Sequence, residues 1–229
     1  MHINEKKESI INILVIIGSA LFVWMWSDKS CGVIYSILGG IEIENHQINL
    51  LKLGKWLFIF AVYFFIFIKK LTDNRKTRLL SLYRYESFKD WWKCFFLNSQ
   101  LSMFGIYIIN CLFFYVLEFI TNNHSNHIIE IIFIFYVHLA TLLSIIIACN
   151  QIITKSIIPC VLIILEGIAY LLSVQYSLLI LSCGMYSSMS KIDNKCMVII
   201  AVLAQLLISG ISYSTVVWLW KKDNLDVIG

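Results

Sequence analysis

The chain has 229 residues, of which 59% are hydrophobic and 14% charged, with a formal net charge of +4 and one proline, Pro159. A single soluble core of this size cannot hide so much apolar surface, so a water-soluble globular domain is excluded and an integral membrane protein is expected. The mean hydropathy of +0.81 points the same way.

A membrane-crossing helix needs about 20 predominantly apolar residues, and six runs reach or approach that length. The first, Ile10 to Trp26, is uncharged and ends in Trp24 and Trp26. Lys6 and Lys7 precede it as they would a signal peptide, but the run is long for one, and WSDKSCG after it has neither a small-x-small site nor a lipobox. A retained helix is the reading. The second run, Leu50 to Ile68, starts with Lys52 and Lys55, which must snorkel to one end. The third, Cys94 to Leu117, is uncharged, with Glu118 just beyond it. The fourth, Ile131 to Cys149, is interrupted by His138 and carries Ala140, Ser144 and Ala148, a small-residue stripe suited to close helix approach. The fifth, Ile157 to Tyr176, has Glu166 in its middle; the sixth, Cys196 to Trp220, is uncharged.

Six spans put both termini on one side, and the basic residues orient them. The stretch Lys69 to Lys93 holds eight of the 18 Lys and Arg (Lys69, Lys70, Arg75, Lys76, Arg78, Arg84, Lys89, Lys93), while the opposite side holds Lys29, Lys52, Lys55, Lys191 and Lys195. By the positive-inside rule, the termini and the basic loop are cytoplasmic. Outside lie Ser27–Asn49 and the polar Phe119–Glu130. The segment Ser177 to Lys195 is apolar first and rich in small residues later. It either dips into the outer leaflet as a re-entrant element covered by protein, or extends span five into a plain loop.

The seven cysteines form no CxxC; Cys31, Cys183 and Cys196 lie outside the spans, where a bridge stays open and unpaired thiols are the default. His124 and His127 lack a third ligand, so no metal site is expected.

At 1.5 Å per residue, Glu166, His138 and Gln205 each stand roughly eight to ten residues into their spans, near the bilayer midplane. A charged acidic residue there costs about 2.5–3.5 kcal/mol, so Glu166 is expected to be protonated or paired. No Lys or Arg lies deep inside a span, which leaves His138, Gln205 and Asn110 as its partners and, together with it, as candidates to line a translocation path. The competing reading is a neutral carboxyl that holds helices together by hydrogen bonding.

There is no P-loop, HExxH or GxSxG motif. The basic loop instead continues as LLSLYRYESFKDWWKCFF from Leu79, with Leu80, Tyr83, Ser87 and Trp91 at helical spacing and Tyr85, Phe88 and Trp92 on a neighbouring face. The pattern predicts a short amphipathic helix running into span three, either an interfacial anchor or a helix that docks into a partner's groove.

The six spans, the inside N-terminus, Arg84-Tyr85-x-Ser87 followed by Trp91-Trp92, and the C-terminal WLWKKDNLD together resemble the ABC-2-type permeases, in particular the small single-domain permeases of bacterial peptide or bacteriocin export and self-immunity systems. The resemblance implies one all-α permease domain over residues 1–229 in a bacterial plasma membrane. It implies a cytoplasmic coupling helix between spans two and three, in which Arg84, Tyr85, Ser87, Phe88, Trp91 and Trp92 contact a separate ABC ATPase. ATP and Mg would be bound by that ATPase, a second permease chain would complete the path, and the substrate would be a hydrophobic or amphipathic peptide; no nucleic acid is implied. The segment before span six lacks the proline often present there in the family. Two alternatives remain. One is a membrane sensor or accessory protein whose basic loop binds anionic lipid or a cytoplasmic partner. The other is a membrane cysteine peptidase of the autoinducer-processing type, which needs a His beside Cys94, whereas His2, His46, His124, His127 and His138 lie elsewhere.

Overall fold

The computed structural model describes residues 2–26, 32–41, 50–73, 81–122, 124–152, 157–173, 184–190 and 195–223. All regular structure among them is helical: α1 (His2–Met25), α2 (Val33–Leu38), α3 (Leu50–Asp73), α4 (Phe88–Thr121), α5 (Ile128–Ile152), α6 (Ile158–Ser173), α7 (Tyr186–Met189) and α8 (Lys195–Asp223). The basic run at 74–80, Lys155, Cys31, Cys183 and most of Ser177–Lys195 lie outside the described residues, as do the side chains of the tail lysines, Lys221 and Lys222.

Among the described residues, four stretches are long and apolar enough to cross a membrane: Leu50–Lys69, Phe88–Thr121, Ile128–Ile152 and Cys196–Trp220. The two other expected spans correspond to the shorter apolar helices Ile10–Met25 and Ile158–Leu172. Pro159 sits in the first turn of α6, where its missing N–H leaves no helical bond unmade.

α5 is the centre of the bundle. It is apolar on every side, and 72% of its stretch is buried, against 11% in Cys196–Trp220. It packs on α2, α4, α6, α7 and, most extensively, α8. Outside this core the helices turn large apolar side chains outward, among them Leu101, Leu112 and Phe119 of α4 and Leu203, Leu207 and Ile211 of α8. In water such surface would aggregate; toward lipid it carries no penalty, as expected of a multi-pass membrane protein.

The amphipathic helix expected from Leu79 into span three is corrected. Ser81 and Leu82 are helical, the chain turns through Tyr83–Glu86, and a new helix begins at Phe88. Ser87 is extended (φ −140°, ψ 152°); its hydroxyl accepts the Asp90 N–H at 3.2 Å and donates to the Asp90 carboxylate at 2.5 Å. This reciprocal cap starts a helix where the apolar periodicity shows no break. α4 ends at Asn122, which takes the left-handed conformation (φ 50°) that closes helices.

The segments Ser27–Asn49 and Ser177–Lys195, the second expected as a re-entrant element or a plain loop, each contain a short helix among their described residues. α2 buries Val33, Ile34, Ile37 and Leu38. Residues 184–190 form a second ordered piece, wedged between α2's loop and the α5–α8 pair.

Candidate functional site

His138 of α5, Glu166 of α6 and Gln205 of α8 meet in the core, each about 1% exposed. His138 Nε2 lies 2.7 Å from Glu166 Oε1, and His138 Nδ1 lies 3.3 Å from Gln205 Oε1. The partners fix the proton count. Nδ1 faces an oxygen that only accepts, so it carries a hydrogen. Nε2 and the carboxyl oxygen then need one hydrogen between them. The pair is therefore neutral overall, as neutral imidazole with carboxylic acid or as imidazolium with carboxylate, which is the arrangement a dry site tolerates.

The site continues as a polar ladder along the α5–α8 seam. Thr141 donates to the Gln205 carbonyl at 3.2 Å, and the Ser144 and Ser209 hydroxyls share a hydrogen bond at 2.6 Å. Gln100 of α4 donates to Ser144 Oγ at 2.8 Å and to the Ala140 carbonyl at 3.2 Å. Spacings of three on α5 (138, 141, 144) and four on α8 (205, 209) set these groups opposite one another. Asn110, the fourth residue expected here, is elsewhere: it donates to the Tyr63 hydroxyl at 3.1 Å, and its own Oδ1 is buried without a partner.

On its α2 side the site is covered by residues 184–190. Gly184 abuts the imidazole; a Cβ there would collide with Cγ and Cδ2 of His138. His138 is ten residues into α5, about 15 Å along its axis, so the chain reaches well inside the bundle at this point. The next residues are fastened in three ways. The Ser187 N–H donates to the Gly39 carbonyl and its hydroxyl to the Ile41 carbonyl, both at 2.9 Å. Gly40, at φ 90°, has no room for a side chain against Met185. The Tyr186 ring stacks on His127 (centroids 5.8 Å apart) and meets Tyr35 edge-on. Burial raises the Tyr186 phenol above its ordinary value, and the adjacent Glu130, to which it donates a hydrogen bond, adds to the rise.

The loop that receives Ser187 is held in turn by Glu118. Its buried Oε1 accepts the Ile34 N–H at 2.8 Å and the Ser125 hydroxyl, while Ser125 Oγ accepts the Tyr35 N–H at 3.0 Å. Glu118 thus satisfies the first turn of α2 in place of an N-cap side chain, which Gly32 cannot supply.

At the opposite end, Phe88, Trp91 and Trp92 are buried in an aromatic nest. Phe88 stacks on Trp220 with centroids 3.9 Å apart, Trp91 Nε1 donates to Ser81 Oγ at 3.0 Å, and Trp92 Nε1 donates to the Tyr213 carbonyl at 3.1 Å. Phe88 and Trp92 face α8, and Trp91 packs beside them against Ser81 and Phe95, so the rings that follow the Ser87 cap are buried in the bundle. Arg84 and Tyr85 are exposed, with the Tyr85 hydroxyl against Cys94, and Ser87 is spent on the cap.

Glu118, Ser125, Tyr63, Gly184 and Tyr186 carry structure the sequence pattern did not assign. Glu118 had one signal: an acid directly after an uncharged span with no basic neighbour. Gly184 had none, since its role depends on a ring 46 positions away. Among the described residues no three His, Cys, Asp or Glu side chains gather as for a metal ion, and Cys94, Cys111, Cys149 and Cys160 are free thiols.

No protein-family model matches this chain, and neither curated proteins nor solved structures include a match to it.

Proposed function

We propose that this chain is the membrane-spanning subunit of an ATP-driven transporter of the ABC-2 type, with both termini cytoplasmic in a bacterial plasma membrane, and that it exports or extracts a hydrophobic or amphipathic peptide. The observation that carries the reading is the Ser87 corner. A coupling element must offer surface to an ATPase and pass motion to the spans. The turn at Tyr83–Glu86 is exposed, and immediately behind it Phe88, Trp91 and Trp92 lock the start of α4 to Tyr213 and Trp220 of α8. A push on the turn therefore moves α4 and α8 together, and α8 carries Gln205 and Ser209 of the polar ladder.

In this proposal Arg84, Tyr85 and Lys89 make the contact with the ATPase, while Phe88, Trp91 and Trp92 transmit it. ATP-driven closure of two ATPase subunits rocks two such bundles between two arrangements. ATP and Mg belong to the partner, and a second permease chain completes the path. The test is copurification with a P-loop ATPase encoded beside this chain. Charge reversal at Arg84 and Lys89 is expected to abolish the complex, whereas Trp92→Phe should preserve it and reduce transport. Unchanged association after charge reversal refutes the docking role, and binding of the isolated chain to anionic vesicles without any ATPase partner would favour a lipid-binding accessory protein instead.

A further inference from the structure

The described titratable groups on the elements packed around the buried imidazole are these. α4 contributes Tyr107, whose hydroxyl donates to the Ile132 carbonyl and whose ring lies against Tyr136 of α5, with Cys111 one turn on, and α2 contributes Tyr35, edge-on to Tyr186. α6 contributes Glu166 and, four residues on, Tyr170. α3 contributes the Phe60 ring, edge-on at 5.7 Å, with Tyr63 three residues on and Lys52 two turns back toward the helix end. α8 contributes the uncharged Gln205, and Tyr213 lies eight residues beyond it. Residues 184–190 contribute the bare backbone of Gly184, with Tyr186 bonded away toward Glu130. On α5 itself the neighbour is Thr141, hydrogen-bonded to Gln205. Among the described residues, His138 and Glu166 thus face each other with no other charged side chain bonded to either.

We propose that His138, Glu166 and Gln205 form a proton-binding site, with one exchangeable proton between His138 Nε2 and Glu166 Oε1, and that residues 184–190 are its stopper. The neutral pair described above is the loaded state. Release of the proton to water leaves the Nδ1–H in place or moves it to Nε2, and in both cases one negative charge stays on the Glu166 carboxylate. If the hydrogen moves to Nε2, the Nδ1 lone pair faces Gln205 Oε1, and the Gln205 amide must turn its NH2 inward to compensate. An uncompensated carboxylate cannot remain in an apolar shell, so water must reach it. The backbone of Gly184 lies across the imidazole from the α2 side, so proton release requires residues 184–190 to lift. Glycine is needed there because any Cβ would hold the segment off the ring. This inference goes beyond the transporter reading and stands without it.

The test uses the full-length chain alone, in lipid nanodiscs, so its result is independent of any ATPase. Infrared difference spectra after pH steps should show one carboxyl band changing together with imidazole bands, and the carboxyl band should vanish in Glu166→Gln. His138→Gln should change the pH dependence of the carboxyl band, as coupled groups do. After transfer to D2O the Glu166 carboxyl band should shift slowly, and Gly184→Ala should raise that exchange rate roughly tenfold or more, as for removal of a local closure. Independent titration of the two groups, no titration across the pH range in which the chain stays folded, or a midpoint that shifts when sodium replaces potassium would each overturn the proton site. An exchange rate in Gly184→Ala equal to that of the wild-type chain would overturn the stopper.

Discussion

Replacing Glu118 by alanine removes the acceptor that holds α2. The structure supplies the magnitude. The Ile34 N–H, bonded at 2.8 Å, and the Ser125 hydroxyl both lose their partner in a site where Glu118 is 1% exposed. A buried donor left unsatisfied costs about 1–3 kcal/mol, and the Ser125 hydroxyl can rotate to recover part of its share, so the expected loss is about 2–4 kcal/mol. For a chain of this size, that corresponds to a fall in Tm of roughly 4–16 °C. Glu118→Gln keeps an oxygen for Ile34 and should lose less than about 1 kcal/mol. The assay is thermal unfolding in detergent followed by tryptophan fluorescence, together with thiol labelling of a Ser36→Cys reporter on α2. Labelling of that half-buried position should accelerate in Glu118→Ala at temperatures where the bundle is intact, because α2 opens locally before the core melts. If Glu118→Ala matches the wild-type protein in both Tm and labelling, the carboxyl is not what fastens α2, and the reasoning fails.

Trp92→Ala should cost about 3–5 kcal/mol through the cavity it opens, whereas Trp92→Phe loses mainly the bond to the Tyr213 carbonyl, about 1 kcal/mol; unfolding midpoints in detergent separate the two. Tyr63→Phe strands the buried Asn110 amide and should cost about 1–3 kcal/mol, and the double variant Tyr63→Phe with Asn110→Leu should recover part of that loss in a double-mutant cycle. For Tyr186 the neutral phenol is the form the fold favours, since its folded value is raised above the ordinary 10.0. Its contribution is therefore complete below that ordinary value and is lost as pH rises through the higher folded value. Limited proteolysis at 184–190 should accelerate in that alkaline window in the wild-type chain, and Tyr186→Phe should remove that dependence.

Composition and apolar run length were enough to read the all-helical, membrane-embedded character, because the bilayer imposes a length and a polarity on each helix independently of its neighbours. That Glu166, His138 and Gln205 stand at a common level could be read from the same arithmetic, and the cost of a lone carboxylate limited Glu166 to a few partners. Which partner it took was a tertiary matter: α5, α6 and α8 converge on His138, while Asn110 turns to Tyr63. The Ser87 break escaped the periodicity because a capping serine interrupts the backbone without interrupting the apolar spacing. The cover over the site lay furthest from the sequence. Glu118 on α2, Ser187 on the Gly39 and Ile41 carbonyls and Gly184 on the His138 ring are contacts between distant segments. Local propensity says nothing about such pairs; only the packing of the helices brings them within reach.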